Sequence, residues 1–267
     1  TLDDVVLAQE VDINYAASVE GVLIPSAWVE AAIDSHIALD ITPSGERTGG
    51  LDVADEGKDK NSFAARHGIV LQFLDTWSGK GDDIFGTTQK TIDLCLDMRL
   101  DHFLYDADGL GAGVRGDARV INELNEAKGI QPIQANPFRG SGSVFEPDEE
   151  MVEARSNADF FANLKAQMWW SLRMRFQNTY RALNGHKFDP DGLISISTAD
   201  LDAQEVEHLK RELSQPTYTK NGAGKILVNK QPDGTASPNR ADSVMICFAE
   251  ISEPVRLRPG GGGSRSF

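Results

Sequence analysis

Between residues 47 and 134 the apolar periodicity runs from two, to three or four, and back again, an order that few architectures accommodate. Gly50-Leu51-Asp52-Val53-Ala54 has the composition of a short strand, and residues 62–66 and 69–77 read as a hairpin turning at His67-Gly68. Helical spacing follows through Ile84, Thr88, Ile92, Leu96 and Leu100, and an apolar strand over 102–105 stops at Asp106. After the Gly109-Leu110-Gly111 turn a helix is expected over 112–127 and a strand over 129–134. The order β-β-β-α-β-α-β predicts an α/β fold. An antiparallel meander should join parallel strands through right-handed crossovers, giving a mixed sheet with helices on both faces.

The flanks are less regular. Residues 1–44 read as a lead-in arm with a helix capped by Ser26 and a turn at Thr42-Pro43-Ser44-Gly45. Gly140, Gly142 and the acidic stretch 146–150 place a mobile loop over 136–155. A long helix then buries Phe161, Leu164, Met168, Leu172, Phe176, Tyr180 and Leu183, with Trp169 and Trp170 as packing residues and Arg173 and Arg181 on a shared exposed side. Two short strands, 218–220 and 225–230, flank the turn Asn221-Gly222-Ala223-Gly224, and Ser237-Pro238 opens a last helix through Val244, Met245, Phe248 and Ile251. The expected division is an arm over 1–44, a domain over 45–255 and a disordered glycine-rich tail over 256–267.

A formal charge of −15 excludes a general nucleic-acid coat, because non-specific DNA affinity comes from cations that replace counterions on phosphates. Any DNA contact must be local. Residues 160–188 contain Lys165, Arg173, Arg175, Arg181 and Lys187 with no acid, and residues 214–240 contain Lys220, Lys225, Lys230 and Arg240 against Asp233 alone. From these islands Lys220, Lys225, Lys230, Arg240, Arg173 and Arg181 are candidate DNA contacts; solvated faces are the alternative explanation. Cys95 and Cys247, the only cysteines, each lie in an apolar helical pattern, which fits buried thiols and neither a disulfide framework nor a thiolate zinc site. No apolar run reaches the ~20 residues of a membrane span, and TLDDVVLAQE lacks the order of a signal peptide, so no membrane partner is expected.

Chemistry concentrates on Asp52 and Asp106 at strand ends and Asp242 one turn inside a helix. If the two strands are neighbours, their carboxylates repel, so one takes a proton or a cation sits between them. The all-oxygen set favours Mg²⁺ or Mn²⁺ over zinc. With two ions about 3.5–4 Å apart, one activates water and the other stabilises the departing oxygen of a phosphodiester, Asp52 bridging both while Asp106 and Asp242 each hold one. Asp55, Asp59 and Asp108 are candidate outer-shell ligands, and Lys230 a group that orients a carboxylate or meets a phosphate. A calcium loop does not fit: from Asp52 the third position is Ala54 and the twelfth Phe63, and from Asp106 Leu110 falls on a ligand position. An aspartate at a strand end, taken alone, is more often a turn former or helix cap than a functional group.

Taken together these segments resemble the nuclease domain of tailed-bacteriophage terminase large subunits. GLDVADEGKDKNSF resembles that family's first-strand motif, YDADGLGAGV its acid before a glycine turn, and SPNRADSVMICFA its closing helix with the third acid. KILVNKQPDG resembles the hairpin and lysine segment beside the active site, implicating Lys225 and Lys230, and GVLIPSAWVEAAI the segment joining the ATPase half to the nuclease half. The resemblance implies an RNase H-like (retroviral-integrase-like) fold and a two-metal endonuclease that cuts double-stranded DNA during genome packaging in the cytoplasm of an infected bacterium. It also implies three partners: the ATPase half, a small terminase subunit and a capsid portal. The chain departs from a whole large subunit in having no phosphate-binding loop; around Ser78-Gly79-Lys80-Gly81 the residue after Lys80 is Gly81. A junction resolvase or ribonuclease H of the same fold, and a non-catalytic docking module of a packaging motor, are the competing readings.

Overall fold

The computed structural model describes residues 21–54, 60–79 and 83–251. In chain order the elements are α1 (Ser26–Ala31), α2 (Ser35–Ala38), β1 (Arg47–Asp52), β2 (Lys60–His67), β3 (Val70–Ser78), α3 (Ile84–Asp97), β4 (His102–Asp106), α4 (Val114–Glu126) and β5 (Gln134–Phe138). Then follow α5 (Asn157–Phe160), α6 (Leu164–Leu183), β6 (Ser195–Ile196), α7 (Ala203–Leu213), β7 (Thr217–Lys220), β8 (Ile226–Asn229) and α8 (Asn239–Cys247). Six strands form one sheet in the order β5-β4-β1-β2-β3-β6. β1, β2 and β3 are antiparallel, whereas β4 on β1, β5 on β4 and β6 on β3 are parallel, so the expected mixed sheet is present. β7 and β8 pair separately as a hairpin.

Strand alternation divides the interior. Leu51, Phe63, Phe103 and Tyr105 point to the face covered by α3 and α4, where Ile92 and Ile121 are fully buried with them. Ala64, Leu71 and Leu104 point to the other face, which α1, α6, α7 and α8 cover with Trp28, Trp169, Leu209 and Val244 among their buried residues. Both cysteines are buried and free.

Several expectations change. Within the stretch read as a lead-in arm, Leu23, Ile24, Trp28, Val29 and Ala32 pack into the larger core, and Leu23 N–H donates to Pro216 O at 2.8 Å. Residues 1–20 and the glycine-rich tail fall outside the described residues. β5 begins at Gln134 instead of spanning 129–134, because Gly129, at φ +76°, closes α4, with Lys128 and Ile130 N–H both donating to Asn125 O. The loop expected over 136–155 begins inside β5 and is fastened by two buried amides. Gln167 exchanges hydrogen bonds with Phe145 N–H and O at 2.7 and 2.9 Å, and Asn157 holds Met151 N–H and Glu146 O at 3.0 and 2.9 Å. The long helix is broken at Asn163, whose side chain caps α6 by accepting from Ala166 N–H at 2.9 Å. α8 stops at Cys247, short of Ile251. β6 and α7 had no counterpart in the expected order. α7 is capped by Asp202 and buries Val206, Leu209 and Leu213.

Candidate active site

The parallel register pairs Gly50 with Leu104 and Leu51 with Tyr105, so Asp52 and Asp106 end neighbouring strands about 4.8 Å apart. Leu51 and Tyr105 serve the α3/α4 core, which turns Asp52 and Asp106 to the opposite face. Helix α8 crosses that face against backbone: a Cβ at residue 50 would lie 2.4 Å from both Cys247 N and Ser243 O, a separation that only glycine permits. The Ser62 and Ser243 hydroxyls meet at 2.8 Å beside this contact. Asp242 precedes Ser243 by one residue, so the glycine contact carries it to the ends of β1 and β4. Asp52 and Asp242 retain 6% and 2% of their exposure, values rare for carboxylates without a strong compensating partner.

Burial, and then the Asp242 charge, push the Asp52 carboxyl well above the usual carboxylate range; Lys230 opposes, Asp106 adds to the rise, and Lys165 opposes. Burial also raises Asp106, against the pull of the Asp108 N–H that donates to its Oδ1 at 2.9 Å and of the Lys165 ammonium. Lys230 follows β8 and donates from Nζ to Asp242 Oδ2. Burial alone would lower its ammonium, but Asp242, Asp52 and Asp106 outweigh that and hold it above the ordinary lysine value. Asp242 Oδ1 is buried and has no hydrogen-bond partner among the described residues.

Three carboxylates and two ammonium groups thus share one electrostatic neighbourhood. Among the described residues no group of three or more His, Cys, Asp or Glu side chains forms a ready-made metal cage; Lys230 neutralises Asp242 instead. The donor chemistry nonetheless fits Mg²⁺ or Mn²⁺. All ligand candidates are oxygens, one of them an orphaned buried oxygen, and their mutual repulsion is the kind a divalent cation relieves.

The other candidate site residues divide. Asp55 and Asp59 lie outside the described residues. The Asp108 carboxylate accepts from Ser141 N–H at 2.9 Å and Ser141 Oγ at 3.0 Å, and so fastens the loop after β5. Lys220 is exposed and Lys225 half-buried, both toward the turn of the β7–β8 hairpin, and Arg181 is half-buried near the end of α6. Arg173 is not on an exposed side as expected. Its guanidinium packs 4.8 Å from the Trp28 ring and 5.2 Å from the Trp170 ring and donates to Leu23 O, and burial lowers its pKa. Arg240 likewise points inward, held by Glu205 and Glu212 at 2.6 and 2.9 Å. Lys165 joins this site without a motif of its own in the sequence; its one signal is its place as the basic residue in the first turn of the long helix.

This sheet order, with acids on adjoining strand ends and a helix-borne third beside them, is that of an RNase H-like nuclease fold. The nuclease domain of the large terminase subunit gp2 of bacterial virus Sf6 is similar over 86% of this chain and 100% of that one, at 32% identity and a TM-score of 0.77. Mutant forms of that domain, one with manganese and beta-thujaplicinol and one with calcium, match to the same extent. The chain belongs to the nuclease domains of phage terminase large subunits. No protein-family model and no curated protein matches it.

Proposed function

We propose that the chain is a divalent-metal-dependent endonuclease that hydrolyses phosphodiester bonds of double-stranded DNA during phage genome packaging. Asp52, Asp106 and Asp242 would hold the Mg²⁺ or Mn²⁺ ions, Asp52 being the acid whose carboxyl is raised by both of the others. The observation that carries this reading is the orphaned, buried Asp242 Oδ1 beside two strand-end carboxylates, in a chain that is 32% identical to a terminase nuclease domain whose mutant forms hold manganese or calcium. Bound cations supply an activated water and stabilise the departing oxygen.

The chain's own residues do the rest. Packing of α8 on Gly50 excludes water from one side of the acids, so charge there is weakly screened. Lys230 neutralises Asp242 in the absence of cations and is placed to meet a phosphate oxygen, and Lys165 offers a second ammonium on the Asp106 side. Lys220, Lys225 and Arg181 contact the DNA backbone, whereas Arg173 and Arg240 serve packing. Asp108 acts through Ser141 to set the loop beside Asp106. By the same reading the domain works in the cytoplasm of the infected host with an ATPase half, a small terminase subunit and a capsid portal.

The test is Mn²⁺-dependent nicking of plasmid DNA by Asp52→Asn, Asp106→Asn and Asp242→Asn. Each should fall to background while circular dichroism stays native; full activity in all three contradicts the assignment. Faster cutting of a four-way junction or an RNA–DNA hybrid than of linear duplex would move the substrate to the competing members of this fold.

A further inference from the structure

Helix α8 carries Asp242 into the site, yet its own start has no side-chain cap, because Pro238 stands at the cap position. The missing acceptor comes from α7. Glu212 Oε2 accepts from the backbone N–H of Arg240 at 2.7 Å and of Ala241 at 3.2 Å, satisfying donors that a helix start leaves open. Its other oxygen takes Arg240 Nη1 at 2.9 Å. Glu205 holds the far edge of the same guanidinium through Nε at 2.6 Å and Nη2 at 3.0 Å, and Nη2 reaches Thr76 Oγ1 of β3 at 3.4 Å. The ion triad therefore ties α7, α8 and β3 together two residues before Asp242.

The Asp242 side chain has one tether among the described residues: one of its oxygens meets the Lys230 ammonium and the other meets no hydrogen-bond partner there. Its place is set further by the backbone of α8, which the Gly50 approach at Ser243 and Cys247 and the Arg66 bond to Cys247 O hold along its length and the Glu212 cap at Arg240 and Ala241 holds at its start.

We propose that Glu212 is a positioning residue of the metal site, setting Asp242 through the cap on α8, with Arg240 as the latch that keeps the Glu212 carboxylate in reach. This rests on the nuclease reading above. Two conservative variants separate positioning from plain stability. Glu212→Asp keeps the charge beside Arg240 but withdraws the acceptor by one methylene, whereas Glu212→Gln keeps the reach and an acceptor oxygen but loses the charge. Calorimetric titration of Mn²⁺ into the full chain should show binding about tenfold weaker in Glu212→Asp and within about threefold of the parent in Glu212→Gln, the range seen when a group behind a metal ligand is altered. Thermal stability should rank the other way, lower in Glu212→Gln. Mn²⁺ affinity that follows thermal stability across the pair, or that is unchanged in a folded Glu212→Asp, overturns the proposal. If Glu212→Asp does not fold, Arg240→Lys, which replaces a forked donor by a point charge, takes its place with the same expected weakening and the same contrary result. Asp242→Asn distinguishes the two levels. Unchanged Mn²⁺ binding in that variant defeats the metal assignment and this proposal together; abolished binding there with intact binding in Glu212→Asp defeats this proposal alone.

Discussion

The two faces of the sheet use the same strands for opposite purposes. On the α3/α4 face Leu51, Phe63, Phe103 and Tyr105 are dry and closely packed, with Phe63 and Phe103 edge to face at 6.5 Å. One residue along β1 and β4, Asp52 and Asp106 turn to the α8 face, where buried Asp52 and Asp242 lie with half-buried Asp106, Lys165 and Lys230. The period of two lets one strand end serve both, so stability and chemistry are separable by alternate residues. The aromatic side supplies the rigidity that a site of mutually repelling acids lacks.

That contrast can be broken most forcefully on the dry face. Phe103→Ala should cost about 3–5 kcal/mol in chemical denaturation, as large-to-small changes in cores do, while folded protein keeps its Mn²⁺ affinity. A matching loss of metal affinity would show that the faces are coupled. On the other face Gly50→Ala should cost less, about 1–3 kcal/mol, yet weaken Mn²⁺ binding, because its Cβ must push the α8 backbone away from β1. Unaltered metal affinity in that variant would mean that the close approach does not set Asp242.

Smaller still is a pH effect on metal-free protein. A carboxyl whose pKa is raised on folding binds more protons in the folded than in the unfolded state, so stability falls as pH climbs from the ordinary carboxylate range through the raised Asp52 value. Asp52→Asn removes that penalty. Metal-free Asp52→Asn should melt higher than its parent at neutral pH and show little advantage near pH 4, within the ordinary carboxylate range; equal melting temperatures at neutral pH would deny the burial of an unrelieved charge. The smallest effect belongs to the hairpin. Lys220→Ala with Lys225→Ala should flatten the dependence of DNA affinity on salt by a slope of about two, one per lost phosphate contact, without altering Mn²⁺ binding. An unchanged slope in fluorescence anisotropy titrations would remove these lysines from the DNA surface.

Local signals made part of this legible. The meander, the stop of β4 at Asp106 and the opening of α8 near Pro238 each carry their own pattern, so the three acids could be expected to converge before their neighbours were known. Charge partners were not legible in the same way. Arg240 and Arg173 stand in cationic stretches of sequence, but Glu205, Glu212, Trp28 and Trp170 reach them through tertiary packing. β6 is two residues long and exists through its pairing with Val70 and Leu71. α7 did carry a signal, the Asp202 cap followed by Val206, Leu209 and Leu213, and the clamp on α8 depends on it.

In the proposed site Asp52, Asp106 and Asp242 close around cations. Crystals soaked in Mn²⁺ and measured at the manganese edge test it directly. Anomalous peaks within coordination distance of all three carboxylates, with Lys230 Nζ displaced from Asp242, are the predicted result. Peaks at other acids, or Lys230 still paired with Asp242 at saturating Mn²⁺, would contradict it.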